Sequence, residues 1–288
     1  MSEQPPVYLD ANHPLGRAAV HVIRTGDVPA LRRLLAEHPE LSVARIDDPA
    51  GASRSLLHVA TDWPGHFPDG PETVRTLIKA GADVGARFTG PHTETPMHWA
   101  ASRDDVPALD VLLDAGADID APGAVIGGGT PLDDAVAFGQ WNAARRLVQR
   151  GARTSLWTAA ALGLLDRVAA RLRQAPPPTT TEITQAFWCS CQGGQRPTAE
   201  CLLDNGTDVN WIGYDGLTPL DAAGHADAAE LTTWLRPRGA RTARRDRDRD
   251  RPVRPLTRRA GAAARGRCSR RRPGRAACPA RPGCTRRA

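Results

Sequence analysis

Two histidines, His58 and His98, are the side chains best suited to chemistry in this sequence. An imidazole can act as a general base when a nucleophile lies within hydrogen-bonding reach. The two histidines end similar phrases, SLLH and TPMH. Neither has a serine or cysteine at a recognisable catalytic-triad spacing. We therefore expect no catalytic residue and predict that the protein is not an enzyme.

A glycine-rich stretch, Gly123–Thr130, superficially looks like a phosphate-binding loop. That loop requires a lysine directly before the threonine and a strand before the glycines. Gly129 stands in place of the lysine, and no strand pattern precedes the stretch. A second stretch, Gly51–Ser55, lacks the final glycine of a nucleophile elbow. The sequence therefore predicts no nucleotide cofactor.

The cysteines do not indicate a metal centre. Cys189, Cys191 and Cys201 lie close together in the sequence, but their spacing matches no structural zinc pattern and no fourth ligand is evident. The other three cysteines lie in the last 48 residues, so the first 188 residues contain none. A reduced compartment and buried, hydrophobic thiols are the simpler interpretation. We expect no bound metal.

The elements that carry these residues repeat along the chain. Thr95-Pro96 precedes a glycine, Gly116, by 21 residues, and the same interval joins Thr130 to Gly151 and Thr218 to Gly239. The phrase DVPAL occurs twice, at 27–31 and 105–109. Proline at the start of a helix and glycine just past its end are typical helix boundaries. Each repeat therefore predicts a pair of short helices that must bury its apolar face against a neighbour.

The TPLH-like opening, the paired leucines and the GAD ending resemble ankyrin repeats over residues 14–240. The resemblance implies an all-α solenoid of about seven stacked helix pairs with short hairpin fingers. It also implies that His58 and His98 are structural and bridge a turn to the backbone. Arginine greatly outnumbers lysine and Ala, Gly and Pro are abundant, so we predict a bacterial type.

The domain organisation follows from the same repeats. We predict a disordered N-terminus over residues 1–13, an ankyrin-repeat domain over 14–240 and a disordered, Arg-rich tail over 241–288. The tail has no aromatic residue and no acidic residue after Asp250, so it cannot bury enough apolar surface to offset the cost of ordering.

Nine residues are candidates for binding a protein partner. Three lie in the insertion Trp63–Pro71, which lengthens the second repeat by five residues; insertions in repeat proteins form protruding loops that often contact partners. The others stand on fingers or just after a first helix. The alternative is local packing, in which the insertion's aromatic residues fold back onto the repeat and Phe88 and Trp211 pack between fingers. The candidates are Trp63, His66, Phe67, Phe88, His92, Arg103, Phe138, Trp211 and Tyr214.

Charge is divided unevenly. The net charge of +6 combines an excess of 15 positive charges in residues 241–288 with an excess of 9 negative charges in residues 1–240. Such a tail can neutralise nucleic-acid phosphates, although it lacks aromatic residues for base stacking. A solvated tail or a frameshifted reading frame would have the same composition, and the sequence leaves these alternatives open.

The predicted function is that of a protein–protein interaction scaffold or adaptor, which binds an unidentified protein through the concave face and the fingers. The alternative is a nucleic-acid-associated protein that acts through the basic tail. The N-terminus has no signal-peptide pattern, and no apolar run of about 18 residues occurs. We expect a cytoplasmic monomer that does not contact a membrane.

Overall fold

The structure, a computed structural model, describes residues 6–243. This part of the chain is mostly helical. Three short 3₁₀ turns supplement the α-helices. The α-helices are α1 (Pro14–Thr25), α2 (Val28–Glu37), α3 (Leu56–Ala60), α4 (Gly70–Lys79), α5 (Pro96–Ala101), α6 (Val106–Asp114), α7 (Pro131–Ala137), α8 (Trp141–Gln149), α9 (Leu156–Ala161), α10 (Leu165–Leu172), α11 (Thr180–Gln192), α12 (Arg196–Leu203), α13 (Pro219–His225) and α14 (Ala229–Leu235).

The helices form two layers. Each odd-numbered helix contacts the even-numbered helix that follows it and also the next odd-numbered helix. We call the odd-numbered helices the first layer and the even-numbered helices the second layer. The core lies between them, where side chains such as Leu109 and Leu112 of α6 are fully buried. Successive pairs therefore share one continuous core, and no pair buries its apolar faces alone.

Local rules explain where the helices begin. Thr130 and Asp133 form a reciprocal capping box at the start of α7, and Thr218 and Asp221 repeat it at α13. Proline lies in the first turn of α2, α4, α6 and α12, where its missing N–H costs no intrahelical hydrogen bond. This confirms the positions that the repeat pattern predicts for both layers.

Hydrogen bonds across pairs set their register. Asp104, in the turn between α5 and α6, accepts hydrogen bonds of 2.7 Å from the backbone N–H of Ala143 and from the side chain of Asn142. A residue of one pair therefore satisfies the free amides at the start of α8 in the next pair, because the first N–H groups of a helix lack intrahelical partners.

A small sheet at the N-terminal end is absent from the predicted fold. Strands β1 (Tyr8–Asp10), β2 (Arg45–Asp47) and β3 (Ser53–Ser55) pair in that order, the first two parallel and the last two antiparallel. Disorder was therefore the wrong prediction for Tyr8–Asp10, and the all-α expectation omits this sheet. The strand's partner lies at Arg45–Asp47, too distant in sequence for any local pattern to reveal the pairing. Residues 1–5 lie outside the described residues.

The sixth helix pair begins earlier than its sequence indicates. The sequence predicts a sixth unit over residues 182–208, with its first helix over 183–191 and extra residues at 192–195. In the structure, Thr179 caps α11, and its backbone N–H and hydroxyl donate to the Glu182 carboxylate. At 13 residues, α11 is about twice the length of α5 and α7. It begins three residues before the predicted first helix, and residues 193–195 remain a connection to α12.

The ordered chain runs slightly past the predicted domain boundary. The backbone N–H of Arg241 donates to Asn210 Oδ1, and that of Ala243 donates to Asp221 Oδ2, both at 2.8 Å. The prediction of disorder was therefore wrong for residues 241–243. Residues 244–288, the rest of the predicted tail, lie outside the described residues. Between residues 6 and 243, no helix combines the length and the apolar character that membrane crossing needs.

Candidate functional site

The candidate site is built from one repeat position used three times. Ser55, Thr95 and Thr130 cap α3, α5 and α7, and the residues eight positions later are Trp63, Arg103 and Phe138. These helices have only five to seven residues, so the eighth position falls just beyond each helix. Three large side chains are therefore presented side by side along the first layer.

A cavity of about 230 Å³ lies among these three side chains. Its walls come from the second, third and fourth helix pairs and from the connection that precedes α7. Trp63 and Phe138 are 66% and 49% exposed, which makes the rim apolar and accessible. The lining residues are Thr61, Asp62, Trp63, Glu94, Trp99, Ser102, Arg103, Val125 and Phe138.

His58 holds one wall of the cavity in place. Its Nδ1 accepts a hydrogen bond from the Ser55 backbone N–H, so the proton of the neutral ring lies on Nε2 and donates to the Glu94 carbonyl at 3.1 Å. The ring is fully buried, and burial lowers the pKa of His58 to about 3. It is therefore neutral at pH 7 and ties the second helix pair to the segment before α5.

His98 repeats this arrangement one pair later. Its Nδ1 accepts from the Thr95 backbone N–H at 3.0 Å, and its Nε2 lies 3.4 Å from the Gly129 carbonyl. Burial lowers the pKa of His98 to about 4. The structural role that the resemblance implies for both histidines is confirmed by these contacts.

Glu94 brings an acidic group into the cavity lining. It stands directly before Thr95, and its residue is only 7% exposed. Burial raises the pKa of the Glu94 carboxyl, while the Trp99 indole and the charge of Arg103 act in the opposite direction. No cation lies within 4.0 Å of this carboxylate in residues 6–243.

Asp134 is a second acid beside the cavity and the least satisfied side chain of the region. It is fully buried, and neither carboxylate oxygen accepts a hydrogen bond from any group in residues 6–243. Burial, followed by the charge of Glu94, raises the pKa of Asp134 to about 7. The backbone of Val125 and Ile126 partly opposes this shift. Because Glu94 and Val125 line the cavity, Asp134 lies directly behind its wall.

The insertion residues separate into two groups. Trp63 projects into solvent at the cavity rim. His66 instead anchors the insertion to the third helix pair. Its backbone N–H donates to Asp105 Oδ2, and its ring Nε2 lies 3.0 Å from the Arg103 carbonyl oxygen. Phe67 is half-buried and does not line the cavity. The loop therefore folds onto its neighbour and leaves Trp63 free.

The remaining candidates lie outside the cavity lining. Phe88 packs against the rings of His58 and Trp99, at centroid distances of 6.3 and 5.4 Å, and His92 is half-buried on the same connection. Trp211 and Tyr214 form an edge-to-face pair at the far end, where Tyr214 also contacts Trp188. The packing alternative thus has direct contacts for Phe88 and Trp211.

Sequence reasoning missed Glu94, Trp99 and Asp134. Trp99 looks like a core residue, yet it is half-buried and lines the cavity. Trp99 and Asp134 both stand four residues after the capping threonine of their pair, where the other well-matched pairs carry Val59 and Ala222. A charged residue at an apolar repeat position was the available signal.

Of the three cysteines in residues 6–243, Cys189 and Cys191 are buried and Cys201 is half-buried. Burial raises the pKa of Cys191 to about 12 and that of Cys189 above its usual range. Within the described residues, no group of three or more His, Cys, Asp and Glu side chains is arranged to hold a metal ion.

Comparison with known families identifies the central helix pairs. A family model of ankyrin repeats, in three copies, matches residues 68–158. The matched span begins in the insertion and ends in α9, so it contains most of the cavity lining. Ankyrin repeats generally mediate protein–protein interaction. A search of curated proteins found no significant match.

Proposed function

We propose that this protein is a non-enzymatic interaction scaffold that binds a protein partner through the cavity and its rim. The matched ankyrin repeats support this function, and the cavity among Trp63, Arg103 and Phe138 is the observation that carries it. Aromatic residues and arginine dominate the binding energy of protein interfaces. The helix pairs outside residues 68–158 are, in this proposal, divergent copies of the same repeat, so that about seven units form one scaffold.

The exposed apolar residues support the same face. Of the eight large hydrophobic side chains that are exposed in residues 6–243, three line the cavity and a fourth follows one of them directly in the sequence. Clustered exposure of this kind is typical of interaction sites, whereas isolated exposed residues are not informative. The four residues are Trp63, Val125, Ile126 and Phe138.

Affinity capture with a double variant tests the proposal. The full-length protein with Trp63→Ala and Phe138→Ala is compared with the wild type and with Tyr8→Ala, which removes an aromatic ring of similar exposure from β1. A specific partner should be lost from the double variant and kept by Tyr8→Ala. Equal capture by all three proteins, each shown to be folded by circular dichroism, would contradict the proposal.

The nucleic-acid alternative is separated by truncation after Ala243. This end point keeps the hydrogen bonds of Arg241 and Ala243. A scaffold should retain its protein partner without residues 244–288. The tail carries the function instead if two results are found together. The truncated protein loses binding, and the full-length protein binds nucleic acid with an affinity that falls steeply as salt is added.

A further inference from the structure

We propose that the cavity receives one cationic side chain, an arginine guanidinium or a lysine ammonium, from the protein partner. This inference deepens the function proposed above and depends on it. The cavity, at about 230 Å³, is smaller than the roughly 300–1,000 Å³ of typical small-molecule sites. A single long side chain therefore suits it better than a separate ligand.

The walls of the cavity are suited to a cation. Three of them are aromatic: Trp63 and Phe138 form the rim, and Trp99 lies deeper. The face of an aromatic ring attracts a cation through its quadrupole, and tryptophan does so most strongly. A guanidinium that enters between these rings keeps favourable contacts while it loses water.

The acids behind the aromatic residues supply the opposite charge. Glu94 lines the cavity and Asp134 lies behind it, and neither is engaged in an ion pair among the described residues. A buried carboxylate without hydrogen-bond donors is strongly unfavourable. A guanidinium offers five such donors, so its entry would give Glu94 charge-assisted hydrogen bonds and bring a positive charge close to Asp134.

Asp62, the other acid of the lining, does not take part. Asp62 already accepts hydrogen bonds from Arg24 at 3.1 Å and from Arg54 at 2.9 Å. Its charge is therefore compensated within the protein. Glu94 and Asp134 remain as the acids available to an incoming cation, and both belong to the matched repeats.

Arg103 is the competing feature, because a cation in the lining could instead attract an anionic partner. It is half-buried, and no carboxylate of residues 6–243 lies within 4.0 Å of its guanidinium. No ion pair therefore fixes its side chain when the cavity fills. Asp134, in contrast, is fully buried on α7 and cannot move away. An anion would approach the Glu94 carboxylate in the lining and the buried Asp134 behind it, so the geometry favours a cation.

The test uses the full-length protein and a short peptide as the probe. An acetylated, amidated Ser-Gly-Arg-Gly-Ser peptide is titrated while the indole N–H resonances of Trp63 and Trp99 are followed by NMR. In two control peptides, the arginine is replaced by citrulline, which is a neutral isostere, or by glutamate. We expect saturable shifts with arginine and about tenfold weaker binding or none with the controls, since cation–π and charge-assisted contacts are lost.

Three variants decide between the two signs of charge. Glu94→Gln and Asp134→Asn should each weaken binding of the arginine peptide about fivefold, because each removes an acid that attracts the cation. Arg103→Gln should strengthen binding of the same peptide, because it removes a competing positive charge. If either acid variant fails to fold, Arg103→Gln and the citrulline peptide still test the idea. Equal binding of arginine and citrulline, or tight glutamate binding that Arg103→Gln abolishes, would overturn it.

Failure of the cation inference can be distinguished from failure of the proposed scaffold function. If the arginine peptide gives no saturable shift while Trp63→Ala with Phe138→Ala still loses the captured partner, the cation inference fails and the scaffold stands. If the double variant captures the partner normally, the scaffold proposal itself fails.

Discussion

Two regions of the first layer use the same repeat position in opposite ways. In the second to fourth helix pairs, the eighth residue after the cap is Trp63, Arg103 or Phe138, and each is at least partly exposed. In the sixth pair, the eighth residue after Thr179 is Phe187, which is completely buried. The repeat register is equivalent, yet one region lines a cavity and the other is closed.

Helix length explains the difference. The first-layer helices of the cavity region end before the eighth position, whereas α11, which has 13 residues, includes that position. The longer helix lies against α9 so closely that a Cβ at Gly193 would overlap the carbonyl oxygen of Ala161. In the cavity region, buried histidines such as His58 join neighbouring pairs by a hydrogen bond, and we call these histidines pins. Short helices joined by pins leave room for a partner, whereas a long helix fills that room.

Gly193→Ala is the largest expected perturbation. The added methyl group meets the backbone of α9, so helix packing must shift, and we expect a loss of about 3 kcal/mol or more in the free energy of unfolding. Urea denaturation followed by circular dichroism measures it. Gly116→Ala is the control in the cavity region: nothing lies within 4 Å of its Cβ, and only its positive φ of 87° adds strain, at about 1 kcal/mol. Equal losses would contradict the close packing.

His58→Ala should have a smaller effect than Gly193→Ala. It leaves the Glu94 carbonyl and the Ser55 N–H without their bonds and creates a cavity, which together cost about 2–3 kcal/mol. Glu182→Ala removes the residue at the same position of the sixth pair, where the side chain only caps its own exposed helix start. We expect a smaller loss there, because solvent screens the exposed carboxylate. A difference between the two variants near zero would remove the distinction between pins and caps.

Asp134 predicts a pH dependence of stability. Its folded pKa, about 7, is above the ordinary value of 3.8, so the folded state binds the proton more tightly. Stability due to this group is therefore present below pH 4 and is lost as the pH rises to 7. The loss approaches about 1.4 kcal/mol for each pH unit within that window.

Comparison with Asp134→Asn isolates this contribution. The buried histidines, whose pKa values are lowered, act in the opposite direction as the pH falls below 6.5, but they are common to both proteins. Between pH 6 and pH 7, the wild type should lose about 1 kcal/mol relative to the variant, because Asp134 is half ionised at its folded pKa of about 7. Urea denaturation at a series of pH values measures this difference, and parallel curves would show that Asp134 is already ionised in the folded state below pH 6.

Trp63→Ala is the smallest expected change in stability. Its ring is 66% exposed, so we expect a change within about 0.5 kcal/mol. Phe187→Ala, at the equivalent position of the sixth pair, should lose about 3–5 kcal/mol. Thermal unfolding of both variants compares them directly. A large loss for Trp63→Ala would mean that this residue holds the insertion in place rather than a partner.

Much of the repeat scaffold could be predicted because its rules are local. Proline in the first turn of α4 and α6 and the histidine pins act within a few residues or one repeat. The N-terminal sheet could not be predicted, since β1 pairs with residues more than thirty positions later. Of the nine candidate residues, Trp63, Arg103 and Phe138 lie together at the cavity, while His66 holds the insertion and Phe88 packs beside Trp99; binding by these residues stays a prediction.

The sequence by itself determined the unit of construction and its boundaries, because caps, prolines and glycines act on neighbouring residues. Tertiary structure decided what each unit presents. Asp134 became a buried and unsatisfied acid only when the segment before α5 and the connection before α7 enclosed it. Phe187 became core while Phe138 became rim, because the length of each helix and the packing of its neighbours determine which side of the layer reaches water.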